Sequence, residues 1–399
     1  MAFDVARIRG LFPALGDGWI HFDGPAGMLV PEQVASAVST AMRAPVSVPG
    51  GAFPASQRAE SIVTAARRAV ADLVGTDPAG VVLGPSAAVL LRRLADAMSE
   101  RWTLGDEVIV SRLDEHANLV PWQRAAKRVG AIVRWSEIDI ETCELPAWQY
   151  ENLVTAHTKA VAITAASGSV GTRPDVPTVV EFAKRVGATV VVDATYAAPF
   201  LPLDLPELGA DVIVVSAQSW GGPAVGALAF RDPEMIERLP SASLDPDVRG
   251  PARLELGPHA YPLLAGLIAS IDYLAGLDDA ATGSRRERLV TSLGSAKSYH
   301  AGLLAQLTSE LRALPHVMVI GDAMRRIPAL AFAVAGKKAP EVADHLAAQG
   351  LCAFADDGTS GVFAALGVGE VGGAVRIGLA HYSNVFEVNQ LVRVLEELR

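Results

Sequence analysis

The sequence contains few cysteines and few lysines, and it has no long apolar run. Its two cysteines, Cys143 and Cys352, argue against a disulfide framework. No apolar stretch approaches the roughly 18 residues that a membrane-spanning helix needs. The first residues carry charges and lack both the apolar core and the cleavage site of a secretory signal. A cytoplasmic location is therefore the expectation.

Clustered positive charge is also missing. The chain has 44 acidic and 34 basic residues, which gives a net charge of −10. This balance argues against nucleic acid as a partner, because phosphate binding needs clustered cations. The sequence shows no internal repeat, low-complexity tract or heptad pattern. What is present is a chain of 399 residues, 50% of them hydrophobic, which is long enough for two domains with sizeable cores.

Two nearly continuous β-branched runs organise the middle of the chain. They lie at Val190–Ala194 and Val212–Ala217, and a third short run ends at Phe230. Such runs are typical of strands buried on both faces of a sheet. Ligands of open α/β sheets bind at the carboxyl ends of the strands, so we expect a site where these runs end. The polar residues found there are Asp193, Ser216, Gln218 and Ser219. For Asp193, a helix or turn cap is the alternative interpretation.

Strand and helix patterns alternate on both sides of these runs. A strand, a turn and a helix are predicted at Val81–Glu100 and again at Lys159–Ala188. The first backbone N–H groups of the helix that starts at Ser86–Ala88 favour an anion, although an ordinary helix start is the alternative. The other predicted elements are strands at Asp106–Ser111, Val317–Gly321, Pro328–Ala335 and Leu351–Ala355, and helices at Pro31–Arg43, Arg58–Gly75, Arg285–Leu314 and Pro340–Gly350.

Three short motifs follow the Asp193 strand: PxD at Pro202–Asp204, LGAD at Leu208–Asp211, and S-x-x-x-x-x-G-P from Ser216 to Pro223. Together with Asp193 they resemble the class V aminotransferase/cysteine desulfurase family. The resemblance extends in consistent order from His21 to Arg399. It implies an α/β protein of the pyridoxal-phosphate (PLP) fold type I. In that fold, a large domain has a mostly parallel sheet sandwiched by helices, and a smaller α/β domain follows at the C-terminus.

The resemblance also assigns the centre of the site. In the family, the aspartate pairs with the pyridine nitrogen of PLP, and a lysine shortly before the G-P pair forms the Schiff base. These positions are Asp193 and Ser219 here, and Gln218 precedes the latter. A serine hydroxyl cannot form an imine, and none of the six lysines is placed to replace it. PLP is therefore implied by resemblance alone, either held noncovalently or absent.

The resemblance places further cofactor contacts, several of them altered. The phosphate turn begins at Ser86 and Ala87, where only the serine has a hydroxyl. The ring-stacking position falls on Glu115, with His116 as a candidate one residue away and a capping or solvated role as its alternative. The remaining positions are Ser216, Gly168 in place of an amide side chain, Tyr196 in place of glutamine or histidine, and Pro258 in place of a threonine that reaches the dimer partner's cofactor.

Arg376 lies in the middle of an apolar strand, where a charged side chain is rarely found without a partner. By resemblance it is the arginine that grips a substrate carboxylate through a two-pronged fork. An ion pair with Asp23 or Glu255 is the alternative. The desulfurase nucleophile has no counterpart, because 355–363 contains no cysteine and Cys352 lies in the preceding apolar strand as a core residue.

We expect an N-terminal arm (1–21) that packs with the small domain, a large aminotransferase-like domain (22–278) and a small C-terminal domain (279–399). The resemblance implies a homodimer, and no metal site is expected.

Three functions stay open. The chain is a binding protein that has lost standard transamination or desulfuration. Alternatively, it acts on a small amino or carboxylic acid with noncovalent PLP or pyridoxamine phosphate, using Asp193 as ring partner and Tyr196, Gln218 or His116 to move protons. The third is an unrelated activity such as hydrolysis, for which Ser219 lacks identifiable Asp–His partners.

Overall fold

The computed structural model describes residues 3–245 and 247–398. Strands and helices alternate through most of this length. The strands are β1 (Ile20–His21), β2 (Val81–Gly84), β3 (Glu107–Ser111), β4 (Ile132–Ser136), β5 (Thr158–Thr164), β6 (Thr189–Asp193), β7 (Val212–Ser216), β8 (Gly226–Phe230), β9 (Val317–Ile320), β10 (Ala329–Val334), β11 (Leu351–Cys352), β12 (Phe354–Asp356) and β13 (Ala374–Gly378). The helices are α1 (Val5–Arg9), α2 (Glu32–Arg43), α3 (Pro54–Val74), α4 (Ala87–Ser99), α5 (His116–Val129), α6 (Tyr150–Leu153), α7 (Val176–Lys184), α8 (Leu205–Leu208), α9 (Glu234–Arg238), α10 (Tyr261–Ala275), α11 (Arg285–Ala313), α12 (Ala339–Ala348), α13 (Gly361–Ala365) and α14 (Val385–Glu396).

Seven strands form the central sheet in the order β2–β8–β7–β6–β5–β3–β4. Only β8 runs antiparallel to its neighbours, β2 and β7. In the register of the parallel strands, Asp193 stands beside Thr164 of β5 and Val214 of β7. The carboxyl ends of the parallel strands therefore meet at one edge, as the apolar runs predicted.

Helices cover both faces of this sheet. Val190 and Val192 of β6 pack in one core with residues of α3, α7 and α10, whereas Val191 packs in another core with residues of α4 and α5. Successive strand residues point to opposite faces, so a strand buried on both faces must be apolar at every position. This requirement explains the unbroken β-branched runs and confirms the predicted sandwich.

A second sheet of four antiparallel strands, in the order β12–β13–β10–β9, lies toward the C-terminus. Its core contains Leu307 of α11, Leu346 of α12 and Leu391 of α14. Strand β1 forms a separate parallel pair with β11. The N-terminal segment is thereby attached to an element close to the small sheet.

Helix α11 belongs to both cores. Leu289 and Leu293 near its start pack with the large sheet, and Leu307 and Leu311 near its end pack with the small one. Its start is fixed by a capping box. The Ser284 hydroxyl accepts a hydrogen bond from the backbone N–H of Glu287, and the Glu287 carboxylate accepts one from the backbone N–H of Ser284. The predicted domain boundary at 279 precedes this helix and stays a prediction.

Two predicted elements differ from the structure. Helix α3 begins at Pro54, four residues before the predicted helix start at Arg58. Proline suits the first turn of a helix, because its missing N–H would have no partner there. The predicted strand at 351–355 is two strands, since β11 pairs with β1 while β12 pairs with β13. None of the helices in the described residues is long and apolar enough to cross a bilayer.

Candidate functional site

Polar side chains from four separate segments converge at the carboxyl edge of the central sheet. We call Glu115, Asp193, Tyr196, Ser219 and Arg376 the strand-end cluster. Glu115 follows β3, Asp193 ends β6, Ser219 follows β7, and Arg376 comes from β13 of the small sheet. The sequence predicted Asp193 and Ser219 near one edge from their positions after strands, and the resemblance implied that Glu115 and Tyr196 belong to the same site. The site is completed by an arginine from the other sheet.

Asp193 is buried, with 6% of its surface exposed. One carboxylate oxygen, Oδ1, accepts a hydrogen bond of 2.9 Å from the backbone N–H of Thr195. Burial raises the pKa of this carboxyl, and the nearby Glu115 charge raises it further. A cationic group in the cleft would reverse this effect, so Asp193 is suited to hold a protonated nitrogen.

Asp114 is a second buried acid close by, which sequence reasoning missed. Its Oδ1 accepts a 2.7 Å bond from the Asn118 amide, and that amide's oxygen accepts a bond from the Trp122 ring nitrogen. Burial raises the pKa of Asp114 well above its usual value, with a contribution from Asp193. The only signal in the sequence was a carboxylate placed three residues after the end of an apolar strand.

Glu115 lies between the two sheets. Its Oε1 accepts a 2.8 Å hydrogen bond from the Ser169 hydroxyl and lies 4.0 Å from Nη1 of Arg376. The guanidinium of Arg376 is also 5.9 Å from the centre of the Phe354 ring. The acidic neighbour of Arg376 is therefore Glu115, and neither of the partners considered from the sequence.

Those two acids have other partners. Glu255 accepts bonds from Arg67 and the backbone of Leu83. Burial alone would raise the pKa of Glu255, but the His259 ring and Arg67 hold it below its usual value. Asp23 lies beside His21 instead.

Tyr196 fills the space next to Gly168. A Cβ atom added at Gly168 would lie 2.5 Å from Cε1 of the Tyr196 ring. Both residues line a small cavity with Ser219. The cavity volume of about 10 Å³ leaves room for no more than one water molecule. Burial raises the pKa of the Tyr196 hydroxyl, which is therefore neutral over the physiological range. The predicted amide position is thus occupied by an aromatic ring from the neighbouring turn.

Ser219 lies in the wall of this cavity. Its hydroxyl donates a 2.8 Å hydrogen bond to the backbone oxygen of Ser216, and only 9% of the residue is exposed. Gln218 is exposed, and its backbone oxygen lies 3.1 Å from where a Cβ at Gly27 would be. Gly27 has φ +137°, so a glycine is needed where the loop at 22–27 approaches this turn.

The predicted phosphate turn and His116 lie at helix starts. Ser86 caps α4, because its hydroxyl accepts a 3.3 Å bond from the backbone of Val89, and Ala87 follows as the first helical residue. Any side chain at Gly226 would clash with this turn, so β8 lies directly against it. His116 begins α5, is exposed, and has its ring beside Gly361.

Two lysines in the middle of the chain lie at the opposite edge of the sheet. Lys159, near the start of β5, has its Nζ 3.4 Å from Asp106, which precedes β3. Lys184 ends α7 and lines a groove with residues at the start of β6. The four others, Lys127, Lys297, Lys337 and Lys338, lie late in α5, in α11 and just before α12.

Comparison with known proteins identifies relatives along nearly the whole chain. The family model described as Aminotransferase class-V matches residues 20–391. A Mycobacterium tuberculosis protein, described as uncharacterized protein MT3887, is 53% identical over 398 residues, with both chains fully covered. A probable cysteine desulfurase of Mycolicibacterium paratuberculosis is 32% identical over 88% of this chain. This chain spans about half of that relative, 52% of its length.

Solved structures agree with these sequence relatives. The cysteine desulfurase CsdA of Escherichia coli is 26% identical and matches with a TM-score of 0.85, covering 100% of this chain and 98% of its own. The apo cysteine desulfurase of Thermococcus onnurineus is also 26% identical, with a TM-score of 0.87 and the same coverage. The sheet order, the strand-end site and these matches lead to one conclusion. The chain belongs to the class V aminotransferase family, is cysteine desulfurase-like, and has the α/β fold of the PLP-dependent fold type I enzymes.

Proposed function

We propose that this protein binds a small ligand in the strand-end cluster and does not carry out lysine-dependent transamination or desulfuration. The observation that carries the proposal is Ser219, a serine in the turn after β7 whose hydroxyl donates to the backbone of Ser216. By resemblance this is the position of the Schiff-base lysine. That lysine both tethers PLP and moves protons at the substrate α-carbon, and a hydroxyl does neither.

The cysteine distribution supports the same proposal. The loop at 355–363, where the resemblance places the desulfurase nucleophile, contains no cysteine. Cys352 lies before it in β11, and Cys143 is buried with its pKa raised to about 11 by burial. A thiol is a weak nucleophile when its pKa is raised, because the thiolate is the reactive form. Cysteine desulfurase activity, for which several relatives are named, is therefore not proposed for this chain.

The charge of the cluster also disfavours the family's way of holding PLP. Glu115 stands where the resemblance places the ring-stacking side chain, and a carboxylate offers no flat apolar face. Its 4.0 Å approach to Arg376 partly neutralises the arginine expected to grip a substrate carboxylate. The ring of Tyr196, packed against Gly168, further reduces the room beside Ser219. These residues do not fit PLP bound as in a lysine-dependent enzyme.

A second candidate is an enzyme that acts on a small amino or carboxylic acid with noncovalently held PLP or pyridoxamine phosphate. The observation in its favour is Asp193, a buried carboxylate suited to a protonated ring nitrogen. When bound, such a cofactor supplies the electron sink that stabilises a carbanion. Tyr196, Gln218 and His116 are the residues that would hold or move a proton in this case.

Equilibrium dialysis of the purified, tag-free protein with PLP separates the two candidates. The first predicts no saturable binding, whereas the second predicts saturable binding that is fully reversed by dialysis and lost in Asp193→Ala. A Ser219→Lys variant measures how much of a PLP pocket remains. If the lysine is all that is missing, this variant turns stably yellow. We expect the Ser219→Lys variant to stay colourless until Glu115 and Tyr196 are also replaced.

We further propose that the protein is a homodimer. Sedimentation at dilute protein concentration tests this proposal.

A further inference from the structure

A compact group of three potential metal ligands lies away from the strand-end cluster, on the short ladder between β1 and β11. His21 of β1 is paired in register with Cys352 of β11. Asp23 comes two residues after His21 and forms an isolated bridge with Gly378 at the end of β13. Two strand ends and one turn thus bring an imidazole, a thiol and a carboxylate together.

The polar environment of His21 is incomplete. The residue is 9% exposed, and its Nε2 lies 3.2 Å from Oδ2 of Asp17. Of the two carboxylates beside the ring, Asp17 is the nearer, so we assign the proton of the neutral ring to Nε2, which leaves a lone pair on Nδ1. Nδ1 is buried without a hydrogen-bond partner. A buried acceptor without a partner is destabilising, and a ligand in the space beside it would remove that penalty.

In this tautomer, the nearest charged atom does not satisfy the Nδ1 lone pair. Oδ1 of Asp23 lies 3.4 Å from Nδ1, and both atoms are acceptors in this tautomer. A cation between them would turn this repulsion into attraction. Two ligands about 2.0–2.1 Å from a tetrahedral zinc ion are roughly 3.3–3.4 Å apart, which matches the observed separation.

The third donor completes a recognisable ligand set. The donor atoms of His21, Asp23 and Cys352 all lie within 4.8 Å of one another. Imidazole, carboxylate and thiolate are the three side-chain donors that zinc uses. The bond from Nε2 of His21 to Asp17 is the outer carboxylate contact that orients most metal-binding histidines.

We propose that His21 Nδ1, Asp23 Oδ1 and Cys352 Sγ form a binding site for a divalent transition-metal ion of the zinc class. The fourth position is left for water or a small ligand, since Asp23 is 32% exposed. Binding is written as metal ion plus Cys352 thiol giving metal thiolate plus a proton, with no change of oxidation state. The proton goes to solvent, so affinity falls as the pH is lowered.

Such an ion would join the N-terminal segment to the rest of the fold at a specific place. Asp17, His21 and Asp23 belong to the segment, whereas Cys352 belongs to β11. The next residue, Gly24, lies against the backbone oxygen of Gly378 and lines the cavity that contains Ser219. The bound ion therefore fixes the loop that borders the strand-end cluster, independently of the function of that cluster.

Titration of the tag-free protein with Co²⁺ tests the site. Cobalt replaces zinc in such sites and gives a near-ultraviolet thiolate-to-metal absorption. We expect saturable binding with this band and an increase in melting temperature, since the ion binds the folded form. Cys352→Ser abolishes the band, and His21→Gln and Asp23→Asn weaken binding at least tenfold. Asp17→Asn, which replaces the outer carboxylate with a neutral amide, weakens it by about 10–100-fold.

His157→Gln is the matched control, because His157 is exposed and lies outside the group. It should leave the cobalt band and affinity unchanged. Circular dichroism of each variant without metal reports whether it is folded. Absence of saturable binding to the wild-type protein overturns the proposal. So does a cobalt band that persists in folded Cys352→Ser, or a loss of affinity in His157→Gln equal to that in His21→Gln.

Discussion

Gly168 and Tyr196 constrain each other in the strand-end cluster. The Tyr196 ring lies where a side chain at Gly168 would project, with three ring carbons 2.5–2.7 Å from the added Cβ. Restoring an amide at this position therefore forces a bulky ring to move. We predict that Gly168→Asn lowers the free energy of unfolding by about 1–3 kcal/mol, the usual cost of overpacking. Urea unfolding of the variant and the wild-type protein measures this loss.

The same pair supplies the control for that prediction. In Gly168→Asn/Tyr196→Ala the ring is gone, so the double variant should lose less stability than the sum of the two single variants. Gly16→Asn places the same side chain in open space and should change stability by no more than about 0.5 kcal/mol. If the stability loss of the double variant equals the sum of the two single losses, the mutual packing of Gly168 and Tyr196 is contradicted.

The location of a single residue was predictable from the sequence where it depends only on the position of that residue relative to a strand. Asp193 ends an apolar run, and that placed it at the carboxyl edge of the sheet. The approach of Arg376 to Glu115 was not predictable, because it depends on how β13 of the small sheet meets the turn after β3. The unpaired Nδ1 of His21 was equally hidden, since it follows from the pairing of β1 with β11.

At the scale of elements, periodicity located strands and helices but not their partners. The runs at 190–194 and 212–217 agree with β6 and β7 to within one residue at each end. The apolar stretch 351–355 satisfied the strand pattern, yet its two halves pair with different strands. Pairing is settled by tertiary contacts, and these are not encoded in a local alternation.

One buried histidine joins three elements. His381 follows β13, donates through Nε2 to the Pro199 backbone oxygen at 2.7 Å, and accepts at Nδ1 from the Tyr273 hydroxyl of α10 at 2.9 Å. Burial lowers the pKa of His381 to about 3, with a contribution from the neighbouring His300. The neutral ring is therefore the form that the folded protein holds.

This arrangement predicts a pH-dependent stability. In the unfolded chain His381 takes up a proton below about pH 6.5, whereas the folded protein does not until about pH 3. Unfolding therefore binds a proton in this window, and the free energy of unfolding falls as pH falls, by up to about 1.4 kcal/mol per pH unit. Urea unfolding at several pH values should give a shallower slope for His381→Gln than for wild type. Equal slopes would contradict the predicted role of the histidine.

At the scale of the whole molecule, the chain shares its family and fold with the cysteine desulfurases, and we propose that its site departs from the family at several positions. Sheet order, helix layers and the small antiparallel sheet agree with the resemblance. The proposed departures lie close together: Ser219 follows β7, Glu115 lies opposite Arg376, and Tyr196 packs against Gly168. Because they touch the same cleft, they are more consistent with redirected binding than with isolated variation.

The central claim is that this cleft forms no Schiff base with PLP. Borohydride reduction of the protein after incubation with PLP, followed by peptide mass mapping, tests it most directly. The account predicts no internal-aldimine absorption and no stoichiometric pyridoxyl adduct on any of the six lysines, only trace labelling of exposed ones. A visible aldimine band that reduction removes, with one adduct per chain on a single lysine, would contradict it.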